Sequence, residues 1–298
     1  MRFALTDDQV VFRDAVRDLL AKEGRAERST WDALVDMGVT SVLVPEAGGG
    51  LGLDELTLVA ILEETGYAAL AFPVVETAMV AAPMSIVGEM AAVADGPLVA
   101  WGAIADVILT TFDADMHVSS REAVELEPCT TIDPLRPVSR LVWTASGGTL
   151  YDAASALDRA ALGTAAQLVG LGQAMLDMTV AYVKDRQQFG VPIGSFQAVK
   201  HHLADALKEI AFARPAVWRA AWSVAHDLPT KSRDVSMAKA MASDAAAFVA
   251  RQALQCHGAI GYTVEHDLHL YLKRTWALCR AYGDAPYHRD RVAVSLGV

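Results

Sequence analysis

Cysteine is scarce in this sequence, and its arrangement excludes several classes of protein. The 298 residues include three cysteines, Cys129, Cys256 and Cys279, which lie far apart and form no CxxC pair. Small secreted domains held by disulfides have an even number of cysteines, and structural zinc sites use paired ones. We therefore expect a protein of the cytoplasm, a reducing compartment, in which these thiols fill the core.

Basic residues are also in the minority. The chain has 25 Lys and Arg against 36 Asp and Glu, a formal net charge of −11. A field of this sign repels nucleic-acid phosphates and anionic lipid head groups, so no nucleic-acid partner is expected. The N-terminus carries Asp7 and Asp8 where a signal peptide has basic residues, so we expect no export signal.

A long uninterrupted apolar run is missing as well. The most apolar stretch, residues 66–88, is broken by Pro73 and Pro83 and contains Glu76. A membrane-spanning helix needs about 20 consecutive apolar residues. The stretch therefore predicts two buried helices joined by a turn, and no membrane span.

Several catalytic motifs are absent from the sequence, among them HExxH and GxSxG. The glycine cluster at residues 48–52 lacks the Lys-Ser/Thr pair of a phosphate-binding loop, and we interpret it as a tight turn. His266 and His269 share one helical face and, with His257 or Glu265, could ligate a metal ion. Their spacing is not that of a known zinc motif, and we predict no metal site.

Three regions differ in their hydrophobic pattern. Residues 1–95 show helical spacing, with Thr6 and Gln9 placed to form a capping box at the first helix. Residues 96–151 show β-branched alternation with turn residues and predict a small β unit. Residues 152–298 predict four long helices that pack as an antiparallel bundle, with a kink or break at Pro215.

Two segments of the C-terminal region have the chemistry of a ligand site. In residues 185–205, DRQQFGVPIGSFQAVKHHLAD, Arg186 lies at a corner next to a helix that starts at Ser195. A guanidinium beside the N–H groups of a helix N-terminus suits an anionic diphosphate. Residues 255–265, QCHGAIGYTVE, form a helix end whose small residues allow a backbone or a flat ring to approach. Taken alone, segments of this chemistry are more often ordinary helix caps than ligand sites.

Together, RQQFGVPIGSFQAVKHHLADA and QCHGAIGYTVEHDLHLYLKR resemble the motifs RxxFG…FQ and QxxGGxG(F/Y) of the acyl-CoA dehydrogenase family. The segment VPEAGGGLGLDE is similar to that family's N-terminal glycine turn. Members are flavoproteins that introduce an α,β double bond into acyl-CoA thioesters. The resemblance implies a mainly α fold in which a central β domain, here truncated, lies between an N-terminal helical domain and a C-terminal helical bundle.

The resemblance also implies an FAD site. Residues of the two C-terminal motifs are expected to contact the adenine and pyrophosphate half of FAD, while the flavin ring lies in the neighbouring subunit. The residues are Arg186, Gln188, Phe189, Phe196, Gln197, Gln255, His257, Gly258 and Ala259. Ala259 stands where the family usually has a second glycine.

The family's catalytic base has no counterpart. Its chemistry needs a carboxylate beside the acyl Cα, with a raised pKa, to remove the α-proton. The two positions that the family uses correspond to Tyr282 and Ala160. A phenol, whose ordinary pKa is about 10, is a poor base at neutral pH. No catalytic residue is therefore predicted in this chain.

The missing base and a short β region without the family's flavin-ring loops indicate a specialised subunit. The leading hypothesis is the base-less partner in an α2β2 acyl-CoA dehydrogenase similar to those of actinobacterial steroid side-chain degradation. It would hold FAD for a homologous subunit that carries the catalytic glutamate, with an acyl-CoA substrate and an electron-transfer flavoprotein as acceptor. Two alternatives are a homomeric enzyme that uses Asp284 or Asp158 as a displaced base, and a flavin-free scaffolding subunit.

Overall fold

The computed structural model describes residues 4–144 and 150–298, without the side chains of residues 143, 144 and 150. A helical N-terminal part, a β-sheet and a helical C-terminal part follow one another along the chain, which confirms the predicted fold. The N-terminal helices are α1 (Asp7–Lys22), α2 (Arg28–Asp36) and α3 (Glu55–Tyr67).

The start of α1 and the glycine cluster adopt the predicted local structures. The Gln9 backbone N–H donates to Thr6 Oγ1 over 3.3 Å, and the Thr6 N–H donates to Gln9 Oε1 over 3.0 Å, which is a capping box. In the glycine cluster a short helical turn, Glu46–Gly48, ends at Gly49, whose φ of 82° lies in the left-handed region. The cluster is therefore a tight turn.

The apolar stretch at residues 66–88 forms the end of α3, a turn and a second buried helical segment. That segment has the wide π-type geometry over Val75–Ala81 and continues as a short turn, Ala82–Met84. Every residue of Val75–Ala81 is buried. Across the part of the chain that the structure covers, no helix has the length and apolar character needed to span a membrane.

Within the described residues, seven strands form one sheet in the order β5-β6-β2-β1-β3-β4-β7. The strands are β1 (Ala91–Asp95), β2 (Leu98–Ala100), β3 (Val107–Phe112), β4 (Asp115–Ser120), β5 (Val124–Cys129), β6 (Val138–Thr144) and β7 (Leu150–Asp152). The sheet begins at Ala91, so the helical pattern predicted up to residue 95 is wrong at its end. The residues of β1 before Asp95 are small, apolar and all buried, so no alternation distinguishes this strand from a buried helix.

The C-terminal part contains the predicted helices and one more. They are α4 (Ala153–Asp185), α5 (Gln197–Ala225), α6 (Lys231–His257), α7 (Leu268–Arg280) and α8 (Ala285–Leu296). The break predicted at Pro215 does not occur, since α5 is continuous through it. The flanking side chains of Ala213 and Val217 are buried, and tertiary packing therefore holds the helix despite the lost N–H.

The N-terminal and C-terminal helices are in backbone contact along α3 and α4. A Cβ built on Gly170 would lie 1.9 Å from the Glu63 carbonyl oxygen, and one on Gly66 would lie 2.2 Å from the Gln167 carbonyl oxygen. Both positions therefore require glycine. Close packing here joins both helical parts into one core, with fully buried leucines at Leu62 and Leu162.

Candidate functional site

The corner that carries Arg186 is a tight hairpin between α4 and α5. Strands β8 (Gln187–Gln188) and β9 (Val191–Pro192) pair antiparallel around a two-residue turn. Both turn residues, Phe189 and Gly190, have positive φ, of 54° and 82°, as in the tight turns that match strand twist. The turn holds the Phe189 ring out of the protein, with 93% of its surface exposed.

Arg186 and the N-terminus of α5 form a positive corner. The carbonyl of Arg186 accepts a hydrogen bond from the Ile193 N–H over 2.8 Å, which brings the two chain segments together. Phe196 is the N-cap of α5, and among the described residues no side chain caps this helix. An uncapped N-terminus of a 29-residue helix beside an exposed guanidinium fits the charge of a diphosphate.

Three aromatic rings in mutual contact, those of Tyr182, His257 and His266, connect the Arg186 corner to the second motif. The rings of Tyr182 and His257 are parallel within 18°, with centroids 4.4 Å apart. His266 approaches His257 edge-on at 4.6 Å. The Tyr182 hydroxyl also donates to the His257 carbonyl over 3.4 Å. The Arg186 corner and the Gly258 turn, far apart in sequence, are therefore neighbours in the fold.

His257 is a neutral, buried imidazole. Its Nδ1 lies 2.8 Å from the Ala253 carbonyl, so Nδ1 carries the proton and donates it. Burial lowers the pKa of His257, and the nearby His266 acts in the same direction. Its Nε2 is a buried atom without a hydrogen-bond partner within the described residues.

A cavity of about 490 Å³ lies against this stack. Its lining residues are Met178, Ala181, Tyr182, Asp185, Arg186 and His266. Beside it, Gly258 has a φ of 62°, and none of the described atoms lies within 4 Å of a Cβ built there. The cavity beside the flat Tyr182 ring, together with the Arg186 guanidinium and the open Gly258 turn, fits the adenine and pyrophosphate half of FAD.

The predicted cofactor residues all lie at these two helix ends, and nearly all of them are exposed. Phe189 meets Phe196 edge-on with ring centroids 6.2 Å apart. The exposed residues of the prediction are Arg186, Gln188, Phe189, Phe196, Gln197, Gln255, Gly258 and Ala259, and only His257 is buried. Sequence reasoning missed Tyr182, which precedes Arg186 by one helical turn, and considered His266 only as a metal ligand.

The position of the family's base is occupied by a locked tyrosine. Tyr282 is 6% exposed and its hydroxyl donates to Glu76 Oε1 over 2.8 Å, while its backbone N–H donates to Asp95 Oδ2 over 2.8 Å. Burial, and next the charge of Glu76, hold the pKa of Tyr282 well above its ordinary value. Tyr282 is thus a hydrogen-bond donor rather than a base. The other position, Ala160, is fully buried in α4.

Further charged side chains are buried in the region around Tyr282. Arg274, 3% exposed, pairs with the buried Asp133 and donates to the carbonyls of Leu70 and Leu135 over 2.7 and 3.2 Å. Glu76, 4% exposed, has a raised pKa because of burial, an effect that the charge of Arg136 opposes. We call Glu76, Asp133, Arg136, Arg274 and Tyr282 the junction cluster, since it joins the N-terminal helices, the sheet and α7.

The two displaced acids considered above have structural partners. Asp284 caps α8, with its Oδ1 accepting from the Tyr287 N–H over 3.0 Å. Asp158 is 6% exposed and accepts from Arg291 Nη1 over 2.7 Å. Asp158 is thus held by an ion pair in the interior, and Asp284 serves as a helix cap.

The histidines considered as metal ligands are engaged by the backbone and by a lysine. His266 Nδ1 accepts from the Leu268 N–H over 3.1 Å, and His269 Nδ1 lies 3.3 Å from Lys273 Nζ. In residues 4–144 and 150–298, no three His, Cys, Asp or Glu side chains are grouped as metal ligands.

Known proteins are similar to this chain in sequence and in fold. The sequence matches the family models "Acyl-CoA dehydrogenase, N-terminal domain" over residues 6–92 and "Acyl-CoA dehydrogenase, C-terminal domain" over residues 148–296. Acyl-CoA dehydrogenase IpdE2 of Mycolicibacterium smegmatis is 32% identical, over 91% of this chain and 88% of its own length.

Two solved structures share the fold over nearly the whole chain. One is a chain of the ChsE4-ChsE5 complex from Mycobacterium tuberculosis, with a TM-score of 0.85, 26% identity, and coverage of 100% of this chain and 99% of that chain. The other is butyryl-CoA dehydrogenase from Megasphaera elsdenii, with a TM-score of 0.86, 21% identity and full coverage of both chains, 100% and 100%. From its family matches and its relatives, the chain belongs to the acyl-CoA dehydrogenase family.

Proposed function

We propose that this chain is a subunit of a heteromeric, FAD-dependent acyl-CoA dehydrogenase. It holds the adenine and pyrophosphate half of FAD for a homologous partner subunit, whose glutamate removes the acyl α-proton. The observation that carries the proposal is a contrast within one chain. The Arg186 corner is open and positively charged, whereas Tyr282 at the base position is buried and donates its proton to Glu76.

Each half of the proposed site has a defined task. Arg186 and the α5 N-terminus neutralise the pyrophosphate, and the cavity beside Tyr182 and His266 receives the flat adenine ring. The flavin, when bound, supplies the acceptor for the β-hydride of the acyl group. This chain's residues orient the dinucleotide and leave proton removal to the partner.

We call the Arg186 corner, the N-terminus of α5 and the Gly258 turn the cradle. Exposed aromatic rings around the cradle support the binding of a partner subunit at this face. Phe189 is 93% exposed and Tyr262 is 77% exposed, although aromatic side chains of this size gain much from burial. A homologous subunit that carries the flavin ring would cover both. The structural similarity to a chain of the ChsE4-ChsE5 complex supports pairing with a homologous dehydrogenase subunit.

The substrate that we propose is an acyl-CoA thioester, in particular that of a steroid side chain. Electrons would pass to an electron-transfer flavoprotein, the usual acceptor in this family. The likeness of the whole chain to the dehydrogenases above supports an acyl-CoA substrate, and the steroid side chain comes from the resemblance described in the sequence analysis. Turnover of steroid side-chain thioesters against straight-chain ones, by the complex with its partner, tests this assignment.

The experiment that tests the cradle is co-expression with the partner subunit, followed by sizing and flavin absorbance per complex. Arg186→Ala should lower the flavin content, because the exposed guanidinium no longer neutralises the pyrophosphate. Arg280→Ala is the control, since Arg280 is another exposed arginine, at the end of α7. Unchanged flavin loading in Arg186→Ala would contradict the proposal and favour a scaffolding subunit.

The chain purified alone gives the complementary test. We expect it to be colourless and inactive with acyl-CoA and an artificial electron acceptor. A yellow lone chain that turns over substrate would instead indicate a homomeric enzyme with its own base.

A further inference from the structure

We infer that the rings of Tyr182, His257 and His266 act as a bracket that fixes the Arg186 corner against the Gly258 turn, with His257 as the positioning residue for dinucleotide binding. This inference rests on the proposed function, because it concerns the site at which FAD is held. It assigns a positioning role to three side chains in mutual contact and proposes no additional ligand.

The bracket links the last turns of α4, directly before the first motif, to His257 in the second motif. Arg186 follows Tyr182 by one helical turn, and its N–H donates to the Tyr182 carbonyl over 2.9 Å. His257 is the last residue of α6 and directly precedes Gly258. Since the two rings are stacked at 4.4 Å, a displacement of either one moves the corner relative to the turn. A dinucleotide that contacts both motifs needs that spacing held to a fraction of an ångström.

The position of His257 suits this role for a physical reason. The Nδ1–H bond to Ala253 anchors the ring to the preceding turn of its own helix, which restricts its rotamer. Tyr182 covers one face and His266 approaches from another side, so the ring is held from several directions. Its Nε2 has no hydrogen-bond partner in the described part of the chain. The ring of His257 therefore acts through its contacts with the Tyr182 and His266 rings and not through a hydrogen bond of its Nε2.

Four variants test this mechanism in the complex with the partner subunit. FAD is removed and titrated back while flavin fluorescence and the melting temperature are measured. His257→Ala and Tyr182→Ala should each weaken FAD binding about tenfold, which is about 1.4 kcal/mol at 25 °C. His257→Phe keeps a flat ring and should bind FAD within about threefold of the wild type. The double alanine variant should be no weaker than the weaker single variant, because the rings act as one unit.

A second histidine of the same chain provides the matched control. His226 lies at the end of α5, with its ring 4.5 Å from that of Trp222 and its Nδ1 2.9 Å from the carbonyl four residues before it. His226→Ala removes a tilted ring contact and a similar bond from Nδ1 to the backbone at an exposed histidine outside the proposed FAD site. It should lower the melting temperature at most slightly and leave FAD affinity unchanged.

The outcomes separate this inference from the proposed function. If Arg186→Ala lowers flavin binding while His257→Ala does not, the cradle stands and the bracket is refuted. If His257→Phe binds FAD as weakly as His257→Ala, ring stacking is not the operative contact and the bracket is likewise refuted. If Arg186→Ala also leaves FAD binding unchanged, the proposed function itself fails.

Discussion

The hydrogen bond from Tyr282 to Glu76 allows a quantitative test of how firmly Tyr282 is held at the position where the resemblance implies the family's base. Both side chains are buried and the donor and acceptor oxygens are 2.8 Å apart. A hydrogen bond to a charged group contributes about 1.5–3 kcal/mol to stability, against about 0.5–1.5 kcal/mol for a neutral pair. Tyr282→Phe keeps the ring and removes only the hydroxyl, so we expect the free energy of unfolding to fall by about 2 kcal/mol.

Tyr151→Phe is the control for this change. The Tyr151 hydroxyl donates to the Met84 carbonyl over 2.7 Å, a neutral acceptor, and the residue is only half-buried. Its loss should cost about 1 kcal/mol or less. Urea denaturation of both variants, together with Glu76→Gln and the double variant, completes a cycle whose coupling energy should be about 1–2 kcal/mol.

Two results would refute the interpretation of a locked position. One is a Tyr282→Phe variant that loses no more stability than Tyr151→Phe. The other is a coupling energy to Glu76 below about 0.5 kcal/mol, since residues in direct contact couple more strongly than this. Either result would mean that the Glu76 carboxylate does not hold the Tyr282 hydroxyl in place.

The same contact predicts that the base cannot be restored by a single substitution. Tyr282→Glu would place a second carboxylate beside the buried Glu76, and two carboxylates in one buried site cannot both ionise. We expect this variant to be less stable than Tyr282→Phe and to show no acyl-CoA turnover as a lone chain. Turnover by the variant would contradict both the locked position and the assignment of catalysis to the partner.

Three further variants test the packing and the pH dependence of the fold. Gly170→Ala should cost about 1–3 kcal/mol in urea denaturation because its Cβ would overlap a backbone carbonyl of α3, whereas Gly172→Ala meets only a flexible side-chain end and should cost less. Arg274→Met should cost about 3–5 kcal/mol by leaving Asp133 buried and unpaired, and adding Asp133→Asn should restore part of that loss. Burial lowers the pKa of His288 to about 4 from its ordinary 6.5, so the folded state binds fewer protons than the unfolded state between these values. Stability should therefore fall by up to about 3 kcal/mol as the pH drops from 7 to 4, and His288→Gln should flatten this slope.

Local patterns in the sequence were sufficient for the elements that depend on neighbouring residues. The capping box at Thr6 and the glycine turn at residues 46–49 involve partners within a few positions, so their residue types predict their geometry. The strand β1 and the helix α8 escaped prediction for the opposite reason. A short run of buried small residues fits either period, and α8 has only a weak apolar face.

The candidate site divides in the same way. The motif around Arg186 is contiguous and could be recognised from the sequence. The contact between Tyr182 and His257 joins residues 75 positions apart, and that between Glu76 and Tyr282 joins residues 206 positions apart. No spacing rule links such pairs, and only the packing of α4 against α6 and of α7 against the N-terminal helices brings them together. The sequence therefore indicated Tyr282 at one of the expected base positions, but not the buried Glu76 to which its hydroxyl is bonded.

The junction cluster and the cradle differ in whether their polar groups already have hydrogen-bond partners. The polar groups of the junction cluster are buried and bonded to one another, which stabilises the fold and leaves them little capacity to bind or to exchange protons. The groups of the cradle are exposed around one anchored ring, so binding an anion there breaks few internal bonds. The proposed division of labour, in which this chain holds a dinucleotide and a partner subunit removes the proton, rests on this difference between paired and exposed polar groups.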